Sequence, residues 1–257
     1  MTLWQDATRR LALAASFAAL VALQPASTQA QDAGKEALSD AQEEAVRALV
    51  RDYLLENPEI LIESLQLYDE RRKAEAAARQ REALTAHLEQ LSGGPATPVL
   101  GNPEGDVVIV EFFDYRCPYC KKVADDLRQA VREDGNIRLV MKEFPILGPD
   151  SLVAARAALA AGAQGRYEDF HFALMAERGQ ITEDTVFAVA ERLGLDVAKL
   201  QADMESEAVE TEIRRTYDLA EALDIGGTPA FVIGDQVYPG ALSMSDLRQA
   251  VASSRDG

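Results

Sequence analysis

Cysteine is nearly absent from this chain: its 257 residues contain two, with two histidines, one tryptophan and an aromatic content of only 6%. That stock is too small for a disulfide-stapled scaffold, and it argues against a structural zinc site, which needs four ligands. His87 and His171 both lie far in sequence from the cysteine pair. Basic residues are short as well, with 26 Lys and Arg against 43 Asp and Glu and a formal net charge of −17. A field of that sign repels phosphate backbones and anionic lipid heads, which excludes nucleic acid as a partner. Long apolar runs are also missing. The run Leu11 to Leu23 has thirteen residues, whereas crossing hydrocarbon takes about 20. Arg9 and Arg10 precede it, and Pro25 and Thr28-Gln29-Ala30 follow it. This is the layout of a cleavable signal peptide over residues 1–30.

What remains is 47% hydrophobic and 27% charged, the composition of a globular protein rich in helix formers. The length fits one catalytic domain with an appendage. From Lys35 to Leu91 nearly every residue favours helix, with one break at Asn57-Pro58, where proline removes a donor and expels the preceding residue from helical geometry. Val46, Leu49, Val50, Tyr53 and Leu54 in the first helix, and Ile60, Leu61, Leu65 and Tyr68 in the second, recur at spacings of three and four. These stripes need a partner surface. Leu84, Leu88 and Leu91 form a narrow seam that cannot hold a lone helix in place. Self-association of a stalk over 31–94 would cover it, as would folding back onto the chain's own catalytic domain; a solvated linker helix is the third alternative. Ser92-Gly93-Gly94-Pro95 ends the helix and opens a second region, 95–257.

There the period changes. Val107–Phe113 reads as a buried strand interrupted by Glu111, Cys117–Asp134 as a helix, and Ile137–Lys142 as a second strand. Helical patterns fill about 150–224, Ala230–Ile233 and Gln236–Tyr238 flank a Gly234-Asp235 hairpin turn, and Ser243 caps a last helix.

The chemistry lies in Cys117-Pro118-Tyr119-Cys120, directly after the first strand. Backbone N–H groups and the positive end of the helix dipole favour a thiolate on Cys117, the attacking sulfur. Cys120, one turn on, is placed to resolve a mixed disulfide. Pro118 at the first helical position costs no hydrogen bond, and Tyr119 adds aromatic surface beside the pair. A thiol pair of this kind needs no cofactor beyond its own reversible Cys117–Cys120 disulfide, and no metal.

Three ordered motifs carry a family resemblance: Glu111-Phe112-Phe113-Asp114-Tyr115-Arg116-Cys117-Pro118-Tyr119-Cys120, Lys142-Glu143-Phe144-Pro145-Ile146-Leu147-Gly148 and Gly226-Gly227-Thr228-Pro229-Ala230-Phe231. Over about Val99 to Ala252 the chain resembles the DsbA family of thioredoxin-fold oxidoreductases. The resemblance implies an α/β thioredoxin-like fold with a helical insertion, and a cis bond at Thr228-Pro229 beside the cysteines, where backbone groups receive an extended substrate. It also puts the family's buried acid at Glu111. Within a buried strand that acid must either pair with Lys142 on the neighbouring strand or titrate upward and relay the Cys120 proton. Tyr119 stands where the family oxidase often has histidine, so the oxidising strength is left open. The N-terminal helices are similar in layout to those of ScsC-type proteins, which implies a homo-oligomer, a trimer first among the options. The whole reads as a periplasmic protein-disulfide oxidoreductase or isomerase. Its partners would be cysteine-containing exported proteins and a membrane redox partner that returns it to its working state. Two alternatives stand beside it: a Cu(I)-handling protein using both thiolates, and a chaperone-like stalk scaffold. His87 and His171 are assigned to the stalk surface and to packing of the insertion.

Overall fold

The computed structural model describes residues 38–256. The signal peptide expected over 1–30 lies outside them. The chain divides into two compact units, one ending at Glu63 and one running from Ser64 to the C-terminus.

In the first unit α1 spans Asp40–Glu56. Ser39 precedes it, its backbone N–H donating to Gln42 Oε1 at 2.9 Å. Asn57 closes it by donating twice to the Tyr53 carbonyl, from N–H at 2.9 Å and from Nδ2 at 2.8 Å. Pro58 then forbids continuation. The helix buries no residue, and Val46, Leu49, Val50 and Tyr53 are all exposed. The next helix, α2, spans Glu59–Ala86 and crosses the unit boundary, and His87 separates it from the single turn α3, Leu88–Leu91.

The second unit is built on a five-stranded sheet: β1 Val99–Gly101, β2 Val107–Phe113, β3 Ile137–Glu143, β4 Ala230–Ile233 and β5 Gln236–Pro239, in the order β1-β3-β2-β4-β5. Only β2 and β3 run parallel, joined through α4, Pro118–Asp134. This is the strand-helix-strand unit expected from the sequence. β1 was not foreseen: three residues are too few for a period-two pattern to register. Gly101 ends it at φ 73°, where a Cβ would lie 2.5 Å from the Ile137 carbonyl oxygen. The insertion consists of α5 Pro149–Gly162, α6 Tyr167–Ala176, α7 Glu183–Arg192, α8 Val197–Met204 and α9 Glu207–Ala222. The last helix, α10 (Met244–Asp256), starts after Ser243, whose Oγ accepts from Asp246 N at 3.2 Å. The hairpin turn has Gly234 at φ 61°, the positive angle the turn requires.

Strand alternation divides the core in two. Val107, Ile109, Phe113, Ile137, Leu139, Met141, Phe231 and Ile233 face one cluster, with α4, α10 and the insertion. Val110, Phe112, Val140, Ala230 and Val232 face the other, with Phe144 and Leu219. Leu84 and Leu91 belong to that second cluster, while Leu88 stays 60% exposed. The end of the helical region expected to stop at residue 94 is thus part of the catalytic unit's core. Of the two ways to cover the seam, folding back is the one found for Leu84 and Leu91.

Candidate active site

β2 is buried along nearly its whole length and delivers the chain to the edge of the core at Asp114. There a buried carboxylate organises the loop. Asp114 Oδ1 accepts from Arg116 N at 2.7 Å and Ser151 Oγ at 2.9 Å, and Oδ2 accepts from Leu147 N at 3.0 Å. The Asp114 carbonyl accepts from Cys117 N at 3.0 Å. Cys117 is thereby set as the N-cap of α4, in extended geometry, with Pro118 following at the first helical position. Both cysteines are free thiols, Cys117 4% exposed and Cys120 fully buried.

Cys117 Sγ donates to the Thr228 carbonyl at 3.2 Å, and the Thr228-Pro229 peptide is cis. The insertion therefore returns the chain so that residues 111 positions apart in sequence meet at the helix mouth. Tyr119 is 61% exposed beside them, with Leu147 and Tyr217 also open to solvent.

Beneath the pair lies Glu111, buried, its carboxyl pushed up to about 8 by loss of solvation. Burial also drives the Cys120 thiol far above its usual range, and the nearby Glu111 charge and Cys117 sulfur add to that shift. A group with affinity for a proton near neutrality is thus close to a thiol that must lose one.

Lys142 does not pair with Glu111. In the register Glu111 sits opposite Met141, and Phe112 opposite Lys142, so the two side chains leave the sheet on opposite faces. Lys142 Nζ is 3.3 Å from Glu212 Oε1 and 3.4 Å from Thr97 Oγ1, and Thr97 donates to Glu212 at 2.5 Å. Burial lowers the Lys142 ammonium, opposed by Glu212. Lys142 is hence corrected from a member of the thiol site to part of a buried cluster on the far face. Of the two fates allowed to Glu111, pairing with Lys142 is not found, and burial pushes its carboxyl up.

Sequence reading missed Glu143, Tyr115 and Tyr167. Tyr115 Oη and Tyr167 Oη both donate to Glu143 Oε1 at 2.9 Å, and Tyr115 Oη is 3.1 Å from His171 Nδ1. Burial, with the Arg128 charge behind it, holds His171 at about 3, so the ring is neutral. Burial raises the Glu143 carboxyl well above the usual range, against the two tyrosine hydrogen bonds. His171 is packed within the insertion, as expected. His87 stands at the break between α2 and α3, with its Nδ1 buried and without a partner among the described residues. Also among the described residues, no group of three or more His, Cys, Asp or Glu is placed to hold a metal ion, and no helix is long and apolar enough to cross a membrane.

Comparison with known proteins agrees with this geometry. Residues 108–252 match the DSBA-like thioredoxin domain, and residues 42–75 match the copper resistance protein ScsC N-terminal domain. A thioredoxin-like oxidoreductase from Silicibacter pomeroyi is 48% identical, with a TM-score of 0.65, over 66% of this chain and 98% of its own. Proteus mirabilis ScsC in a transitional conformation is 30% identical, with a TM-score of 0.63, over 85% of this chain and 97% of its own. A Na(+)/H(+) antiporter NhaA 1 of Salinispora arenicola is 32% identical over 161 residues, 62% of this chain, and the chain spans only 25% of that protein's length. The chain belongs to the DsbA-like thioredoxin-domain family of thiol-disulfide oxidoreductases, with an ScsC-type N-terminal region ahead of the catalytic domain.

Proposed function

We propose that this protein is a periplasmic dithiol-disulfide oxidoreductase that rearranges disulfides in exported proteins. The observation that carries the reading is Cys117 at the mouth of α4, its sulfur 3.2 Å from the Thr228 carbonyl beside the cis Pro229. The Cys117 thiolate attacks a substrate disulfide, one substrate sulfur leaves as thiolate, and a mixed disulfide forms. Cys120 then gives its proton to Glu111 in its ionised form, a minor population below about pH 8, and attacks the Cys117 sulfur, which releases the second substrate thiolate and leaves the Cys117–Cys120 disulfide. Alternatively a second substrate thiol attacks first, and the enzyme returns reduced after an isomerisation. A membrane redox partner resets the pair, and the signal-like segment at 1–30 supports the periplasmic address.

Homo-oligomerisation, a trimer first, fits the exposed apolar residues of α1 and the early part of α2, and favours isomerisation because joined sites hold a misfolded substrate for repeated attack. The test is recovery of activity from scrambled ribonuclease. The full chain restores it, and Cys117→Ala, which removes the attacking sulfur, must abolish the effect. Undiminished rescue by Cys117→Ala would sink the redox reading in favour of a scaffold.

A further inference from the structure

One side of Cys117 is occupied by Thr228 and Pro229. On another, Arg116 and Pro118, its neighbours in sequence, line a cavity of about 460 Å³ whose far wall is the segment joining α6 to α7. Three cations line this space: Arg116, Lys121 and Arg178. In a chain where acids outnumber bases 43 to 26 that is a local reversal of sign.

The cations are held there by the fold. Arg116 Nη1 donates to the Leu147 carbonyl at 2.8 Å, with the Asp150 carboxylate 3.9 Å away. Lys121 Nζ donates to the Glu177 backbone carbonyl at 2.5 Å. The one acid lining the cavity, Glu177, is drawn off by Arg192 at 2.7 Å. Arg178 is exposed and makes no ion pair among the described residues.

We propose that this cavity is a specificity pocket that receives carboxylate side chains of the substrate polypeptide, two to four residues from the cysteine in exchange. The inference rests on the redox reading, since it is the bond to Cys117 that brings a polypeptide here. An extended chain advances about 3.5 Å per residue, so side chains that close to the bonded cysteine can reach a cavity walled by both neighbours of Cys117. Near physiological salt, charges more than about 8 Å away are screened. The whole-molecule charge of −17, which alone would repel an acidic segment, is then felt less than the three cations at hand.

The test uses the reduced full-length chain and three peptides, each with one cysteine capped as a mixed disulfide with a small uncharged thiol. They differ only at the positions two to four residues from cysteine: acidic, neutral or basic. Rates of exchange are divided by those of the same peptides with dithiothreitol, which removes the effect of flanking charge on the peptide sulfur itself. With surface pairs each contributing up to about 1 kcal/mol, the acidic peptide should outrun the basic one about fivefold. The ratio should approach one at about 1 M salt, where screening reaches about 3 Å. Arg178→Glu combined with Lys121→Glu should invert it. Arg178→Gln should reduce it while leaving the neutral peptide's rate unchanged. Equal rates for the acidic and basic peptides, with the neutral peptide exchanging normally, overturn the pocket and leave the redox function intact. A neutral peptide that does not exchange at all overturns the redox reading beneath it.

Discussion

Glu111 is a carboxyl in a buried strand, and the direction of its shift makes a pH-dependent prediction. Its folded value of about 8 lies above the ordinary 4.5, so the folded state holds a proton that the unfolded state has released across that interval. Stability attributable to this residue therefore falls as pH rises from about 4.5 to about 8. Glu111→Gln removes the penalty and should stabilise the protein by about 3 kcal/mol at pH 7, and by almost nothing at pH 4, in denaturant titrations. The same variant should slow resolution of the mixed disulfide by about tenfold at pH 7, where a minor part of Glu111 is ionised, and by more at about pH 8, because Cys120 loses its proton acceptor. Glu143 behaves differently. Gln preserves an acceptor for Tyr115 and Tyr167 and should cost under about 1 kcal/mol, whereas Glu143→Ala leaves the Tyr167 hydroxyl unpaired and Tyr115 with His171 alone, around a cavity, and should cost about 3 kcal/mol by the same measurement.

Among the elements, β3 shows how alternation separates two jobs. Met141 and Glu143 face the thiol side, and Lys142 between them faces Thr97 and Glu212. Lys142→Met leaves Glu212 buried without its cation and should destabilise by about 3 kcal/mol. The alkylation rate of Cys117 should stay at its native value, since the two sites lie on opposite faces. A changed rate would return Lys142 to the thiol site. α2 and α3 offer a sharper contrast within one apolar seam. Leu84→Ala removes a core side chain and should cost about 2–4 kcal/mol, while Leu88→Ala should stay within about 0.5 kcal/mol.

For the molecule as a whole, the apolar residues that α1 leaves exposed carry the prediction. Leu49 and Leu65 are more than half exposed, and each belongs to a stripe with no buried member. If those stripes hold copies of the chain together, Leu49→Asp with Leu65→Asp in the full chain should reduce the mass seen by light scattering to one protomer. Reduction of a small disulfide should be unaffected, because the cysteines and Thr228 all lie in the second unit. Rescue of scrambled ribonuclease should fall about tenfold or more with the loss of joined sites. An unaltered mass would remove the oligomer from the reading.

Local signals determined a good deal of this protein. The Cys117-Pro118-Tyr119-Cys120 helix start, the buried run of β2, the Gly234 turn, the Ser243 cap and the break at Asn57-Pro58 are written in periodicity and in residues with special backbone demands. Such features depend on neighbours a few positions away. The meeting of Cys117 with Thr228 came from family resemblance, and no local rule contains it. Tertiary structure alone decided the partners of buried charges. Lys142 went to Glu212 and Thr97, the Glu143 carboxyl took tyrosines from the Cys117 loop and α6, and Leu84 joined the core while Leu88 did not. A buried polar group is satisfied by whatever the fold brings within about 3 Å, and that contact is set by strand register and helix packing across 24 to 115 residues of chain, beyond the reach of any local pattern.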